Sequence, residues 1–198
     1  VRTSAPSIFF AIVFLFGSAP TELALAASVS LEATAVGTIG DWGVMGPPDG
    51  KPERITSTTE AVVQEFNPRL RGVVEFTLSG VSGPVTKATL SFTQGPGAEG
   101  KDALISVFFY EGNGEITLED YGLPAKLAGT FTSPATEGPV AHTLDVTAAV
   151  QQAVQAGYRF IGFRFESGIP EKRSFSFGDL SPFRLGTGRL DVEVAPRR

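Results

Sequence analysis

Short runs in which apolar and polar residues alternate recur along most of this chain, each closed off by Gly, Pro or Ser. Val74-Glu75-Phe76-Thr77-Leu78 and Thr86-Lys87-Ala88-Thr89-Leu90-Ser91-Phe92 show it most clearly, with the turn-forming stretch Ser79-Gly80-Val81-Ser82-Gly83-Pro84 between them. A period of two puts every second side chain on one face of a pleated strand, so each run can bury one face and wet the other. An amphipathic helix needs its apolar residues three and four apart. Ala103-Leu104-Ile105-Ser106-Val107-Phe108-Phe109-Tyr110 carries apolar residues at both parities, which predicts a central strand covered on both sides. In 159–165 the residues Ile161, Phe163 and Phe165 share a face, and near the end Leu190, Val192 and Val194 alternate with Asp191 and Glu193. Weaker strand candidates lie at 29–36, 59–66, 128–132, 140–145 and 173–177.

One segment has helical spacing. Ala149, Val150, Ala153 and Val154 fall on one face of a short helix over 148–156, with Thr147 placed to cap its start and Gly157 to stop it. About ten strands at roughly 8–12-residue intervals with a single helix predict an all-β fold, an antiparallel β-sandwich rather than an α/β one. No internal repeat or linker divides it, so residues 27–198 read as a single domain.

The first 26 residues differ from the rest. Arg2 precedes the apolar run Ile8–Phe16, Gly17, Pro20 and Glu22 break it, and Ala24-Leu25-Ala26 offers small residues for a cut after Ala26. That order is the pattern of a secretory signal peptide over 1–26, and the apolar run is far shorter than the roughly 20 residues a spanning helix needs. A secreted or periplasmic product, off the membrane after cleavage, is the expectation. Across the chain 16 basic and 21 acidic residues leave a net charge of −5, and the balance stays there once Arg2 and Glu22 depart with the leader. Nucleic-acid and anionic-membrane partners both need a basic face, which this balance argues against. With no Cys and a single His, thiol nucleophiles, disulfide frameworks and His-rich metal sites are excluded.

Three stretches in sequence carry a family likeness: Arg71-Gly72-Val73-Val74-Glu75-Phe76-Thr77-Leu78-Ser79-Gly80, Val85-Thr86-Lys87-Ala88-Thr89-Leu90-Ser91-Phe92, and Leu144-Asp145-Val146-Thr147-Ala148-Ala149-Val150-Gln151-Gln152-Ala153-Val154. Together with Phe163, Phe175, Phe177 and the closing run 189–194, they resemble the DNRLRE-type (disaggregatase-related) β-sandwich modules of secreted prokaryotic proteins over about residues 65–194. The resemblance implies a jelly-roll-like sandwich and carbohydrate binding. It implies no site residue here, because Thr77 stands where the family's strand has Asp and the stretch around Gly40-Asp41-Trp42-Gly43 departs from the family's opening motif.

Candidate ligand-binding residues follow from sugar chemistry. A flat aromatic face stacks on the C–H face of a pyranose while carboxylates accept from its hydroxyls. Asp41, Trp42 and Asp49 in the Gly40–Arg54 loop suit that, with Tyr110 and Tyr121 as further aromatic faces. For Trp42 alone a plug at one end of the sandwich is the preferred reading, since large aromatics more often bury than display. The stretch Glu111–Tyr121 carries the oxygens of a calcium loop, but Phe109 would fill its first position, and Gly112-Asn113-Gly114 reads more simply as a tight hairpin turn. Calcium on clustered loop carboxylates (Asp41, Asp49, Asp102, Glu111, Asp120, Asp179) stays open, and no other cofactor is called for. His142 reads as structural, since no G-x-S-x-G nucleophile motif accompanies it. Glu75, Glu166, Asp191 and Glu193 alternate with apolar residues as on the solvated faces of strands. Arg69, Arg71, Arg159, Arg164, Arg173, Arg184 and Arg189 could grip an acidic polysaccharide by bidentate pairing, but cross-strand salt bridges to those acids are the preferred reading. The reading that gathers these points is a secreted, non-catalytic sandwich binding a polysaccharide or cell-surface glycan. Its rivals are a structural matrix module with no small ligand and a polysaccharide lyase or hydrolase on a jelly-roll scaffold.

Overall fold

A computed structural model describes residues 27–43, 48–64, 68–94, 102–134, 138–167 and 188–196. Among these, strands β1 (Ala27–Glu32), β10 (Arg189–Val194), β5 (Val85–Gln94) and β8 (Val140–Asp145) pair in that order as a small sheet. A larger sheet runs β3 (Arg54–Ser57), β2 (Ala35–Asp41), β4 (Arg69–Thr77), β9 (Phe160–Ser167), β6 (Ala103–Gly112) and β7 (Lys126–Ser133). All pairings are antiparallel. With the β2–β3 hairpin set aside as an addition at one edge, the orders 1-10-5-8 and 4-9-6-7 are those of a jelly roll. The leader expected over 1–26 and the strand candidate at 173–177 lie outside the described residues.

Alternation fills the space between the sheets. Val74 and Phe76 on β4, Ile105, Val107 and Phe109 on β6, and Ile161, Phe163 and Phe165 on β9 face Leu90 and Phe92 on β5 and Leu190 and Val192 on β10. Phe92 meets Phe165 edge-on across the gap at 5.6 Å, a favoured aromatic geometry. In β5 the inward residues change parity between Val85 and Ala88. Glu193 pairs with Lys87 and Val194 with Val85, so Thr86 is an extra residue that bulges and lets both apolar side chains turn inward. Helix α1 (Thr147–Gln155) buries Ala149, Val150 and Ala153 against this core. Thr147 is its first residue rather than its cap. The carboxylate of Asp145 closes the end instead, accepting the Thr147 amide at 2.9 Å and its hydroxyl at 2.6 Å, and these bonds hold the Asp145 carboxyl below its usual pKa. Gly157, at φ +77, supplies the left-handed stop.

Two expected strands take other forms. The run 29–36 splits: β1 lies in the small sheet and β2 in the large one, and Thr34 between them donates its amide and hydroxyl to the Glu75 carbonyl at 2.8 and 2.9 Å. Over 59–66 the described part forms no strand, only isolated bridging such as Gln64 to Leu70, and is held by a side chain. The Thr38 hydroxyl donates to the Glu60 carbonyl at 2.6 Å and accepts from the Val62 amide at 2.8 Å.

Part of the outer face of the large sheet is covered as well. From Asn113 to Ala125 the chain leaves β6, passes through a 3₁₀ turn at Leu118–Tyr121 and lies across β4, β9 and β2 before entering β7. This strap buries Ile39, Val73, Tyr110 and Tyr121 with Ile116, Leu123 and Ala125 in a second apolar cluster. The tight hairpin expected at Gly112-Asn113-Gly114 is therefore corrected: Gly114 (φ +91) turns the chain, but onto the sheet face rather than into a neighbouring strand. The Glu75 carboxylate draws it there by accepting the Asn113 and Gly114 amides at 3.1 and 2.6 Å.

Candidate functional site

Asp41 ends β2 at the rim of the large sheet and is 0% exposed. One of its oxygens accepts the amides of Gly43 and Asp49 at 3.3 and 3.2 Å. The other accepts the Gly50 amide at 2.7 Å and the Tyr121 hydroxyl at 3.2 Å. Charge-assisted bonds of this kind replace the water a buried carboxylate gives up. They also close the loop between β2 and β3 around one side chain.

Trp42 follows, half-buried. Its amide donates to Glu53 Oε2 at 2.7 Å, its ring lies against Gly40, and the Arg54 guanidinium sits over the ring at 4.4 Å. A methyl carbon added to Gly40 would fall 2.1 Å from the indole, so only glycine admits the ring there. Asp49 is exposed and accepts the Lys51 amide at 2.9 Å. One ligand oxygen each of Asp41, Asp49 and Glu53 lies within 4.8 Å of the others. Oxygen donors of this kind suit a hard cation such as calcium, which takes six to eight oxygens. Both oxygens of Asp41 are already engaged by loop amides and a phenol, so the arrangement fits a loop-closing anion better than a metal cage.

The tyrosines do not join Trp42 in a stacking surface. Tyr110 and Tyr121 are 2% and 1% exposed, because the strap encloses both. Tyr110 donates its hydroxyl to Glu75 Oε1 at 3.0 Å, and its ring fills the place where Gly162 has no side chain. Burial and the neighbouring Glu75 charge push its pKa far up, and burial pushes that of Tyr121 up to about 12. As sugar-stacking faces both are corrected: they are internal supports.

Glu75 is corrected too. Expected on a solvated face, it is 0% exposed beneath the strap, and burial raises its pKa against the bonds from Gly114 and Tyr110. Asp120 is buried beside it, raised by burial while the amide and hydroxyl of Thr117 pull the other way. Arg164 donates to the carbonyls of Asp120 and Leu123 at 2.9 and 3.1 Å and to Glu166 at 2.8 Å. Arg71 pairs with Glu166 at 3.4 Å, donates to the Tyr121 carbonyl and covers the Tyr121 ring at 4.0 Å. Burial lowers the pKa of Arg71. Of the expected arginine pairings, Arg71–Glu166 forms across strands, while Arg164–Glu166 and Arg189–Asp191 lie along one strand; Lys87 rather than an arginine meets Glu193 across strands, and Arg173 and Arg184 lie outside the described residues. Nothing in the local sequence marks Glu75, Arg71 and Arg164 as anchors of a loop, since the segment they hold lies some 40 to 50 positions away.

His142 shares the inner face of β8 with Leu144 and stacks near Phe92 and Phe131 at 5.4 and 4.7 Å. Its Nε2 lies 2.9 Å from Gln94 Oε1, and burial lowers its pKa. Of the calcium candidates, Asp41 and Asp49 meet; Asp179 lies outside the described residues.

The fold and this rim define a β-sandwich whose large sheet is partly covered by a strap on its outer face and carries an elaborated loop at one end. No protein-family model matches the chain, and no curated protein sequence matches it. Among solved structures, a carbohydrate-binding module from Cellvibrio mixtus lichenase 5A, in complex with cellotriose, is similar, with 13% identity over 77% of this chain and 94% of that one and a TM-score of 0.28.

Proposed function

We propose that this chain is an exported, non-catalytic β-sandwich module, kin to the DNRLRE-type family, that binds a glycan through the rim loop between β2 and β3. One observation carries the reading. The loop sets a half-buried indole, the exposed carboxylate of Asp49 and the Glu53 carboxylate around a buried anchor, Asp41. An aromatic ring beside fixed acceptors is what recognition of a sugar needs, because stacking excludes water from one face while carboxylates take up the hydroxyls. Three converging carboxylates repel uronic acids, so the ligand is a neutral glycan. The carboxyls with raised pKa, Glu75 and Asp120, are enclosed by the strap and out of reach of a substrate, which supports a binding role over hydrolysis.

Affinity electrophoresis on a panel of neutral and acidic polysaccharides tests it. Saturable retardation by a neutral polysaccharide is expected, weakened by up to about tenfold by Trp42→Ala, the loss of one stacking contact. No retardation by any member of the panel would sink the proposal. The rival structural module draws on a separate observation, the exposed Leu104 and Leu127 on the outer face of β6 and β7, half or more accessible each. A specific oligomer in sedimentation, together with silence on the glycan panel, would favour it.

A further inference from the structure

The rim loop is held by a residue from a distant part of the chain. Tyr121 lies 80 positions beyond Asp41, yet its hydroxyl is one of the four donors on that carboxylate, and the other three are the loop's own amides of Gly43, Asp49 and Gly50. Tyr121 is itself fixed from behind. The Arg71 guanidinium lies on its ring and donates to its carbonyl, while Glu166 holds Arg71 in place. Glu166 also binds Arg164, which grips the strap on either side of Tyr121 through the carbonyls of Asp120 and Leu123. Bonds therefore run without a break from the middle of the large sheet, through the strap, to the loop that carries Trp42 and Asp49.

We infer that Tyr121 is a positioning residue for the rim loop, its hydroxyl fixing the Asp41 carboxylate and so the stance of Trp42 and Asp49. A buried carboxylate that loses one donor turns toward those that remain, and here those are the loop's amides. The loop follows the turn. The inference deepens the glycan-binding reading and rests on it only for the binding arm of the test.

Trp42 is the sole tryptophan, so its fluorescence reports the rim loop alone. In the full chain, Tyr121→Phe is expected to shift Trp42 emission and the amide resonances of Gly43, Asp49 and Gly50, and to weaken glycan retention about tenfold, the worth of one hydrogen bond to a carboxylate. Tyr110→Phe removes a hydroxyl from the same enclosed layer but one that serves Glu75, and it is expected to leave Trp42 unchanged. Where Tyr121→Phe does not fold, Arg71→Gln, which releases Tyr121 from behind, is expected to move the same three amides. Unmoved emission and amides in the folded variant, or equal shifts in Tyr110→Phe, would overturn the inference. Shifted emission and amides in a chain that binds none of cellotriose, xylotriose or mannotriose would uphold the positioning role and count against glycan recognition instead.

Discussion

An enclosed carboxylate persists where donors stand in for lost water, and Glu75 has three: the Tyr110 hydroxyl and the amides of Asn113 and Gly114. They do not cancel the cost. Burial still raises its folded-state pKa above the ordinary 4.5, so between those two values the folded chain keeps a proton that the unfolded chain has released. By linkage, stability falls as pH rises from about 4.5 through that window and levels off above the folded value; Asp120 contributes with the same sign. Glu75→Gln removes one titrating group and replaces the charge-assisted bonds from the Asn113 and Gly114 amides with neutral ones. Urea unfolding at a series of pH values is expected to show a shallower fall than in the native chain, with about 1–3 kcal/mol lost at neutral pH. An unaltered pH slope would show that Glu75 is not the group that titrates. No local pattern reveals this role, for Val74-Glu75-Phe76 reads as inside, outside, inside, and so it would be if the outer face were wet. Its cover comes from another element.

That element is the strap from Asn113 to Ala125, held more by side chains of the sheet than by a strand ladder. Arg164 supplies two of its bonds, to the Asp120 and Leu123 carbonyls, so Arg164→Ala leaves both carbonyls short of a donor. Limited proteolysis is expected to cut between Asn113 and Ala125 faster in this variant, at a temperature where the sandwich stays folded, since loosely held segments open independently of the core. Cleavage no faster than in the native chain would mean that the apolar cluster under the strap suffices alone. Elements ruled by apolar pattern were legible from sequence: β4, β5, β8, β9 and β10 fall at predicted strand runs, and β6 where a run apolar at both parities predicts a central strand. Where sequence reading slipped, long-range partners decided. The run 29–36 breaks because Thr34 bonds to Glu75, 59–66 is tied by the Thr38 hydroxyl, and the Asn113-Gly114 turn is captured by a carboxylate of β4.

At the scale of the molecule, alternation decides the architecture because two sheets must share one dry interior, and Phe76, Phe92, Phe163 and Phe165 meet there. The site is less legible, because whether an aromatic ring lies open or enclosed depends on what crosses over it. Trp42 and Asp49 keep a place at the rim; Tyr110 and Tyr121, equal candidates by sequence, turn out to be sealed beneath the strap. The central claim, a strap that seals the outer face over β2, β4 and β9 and leaves the rim loop as the aromatic surface for recognition, is tested most directly by spectrophotometric titration of the three tyrosines. Two of them, Tyr110 and Tyr121, are expected to resist ionisation beyond the ordinary value of 10.0, Tyr121 up to about 12, and to ionise fully only as the chain unfolds in alkali. Reversible ionisation of all three near pH 10, with the β-sheet circular dichroism intact, would contradict it.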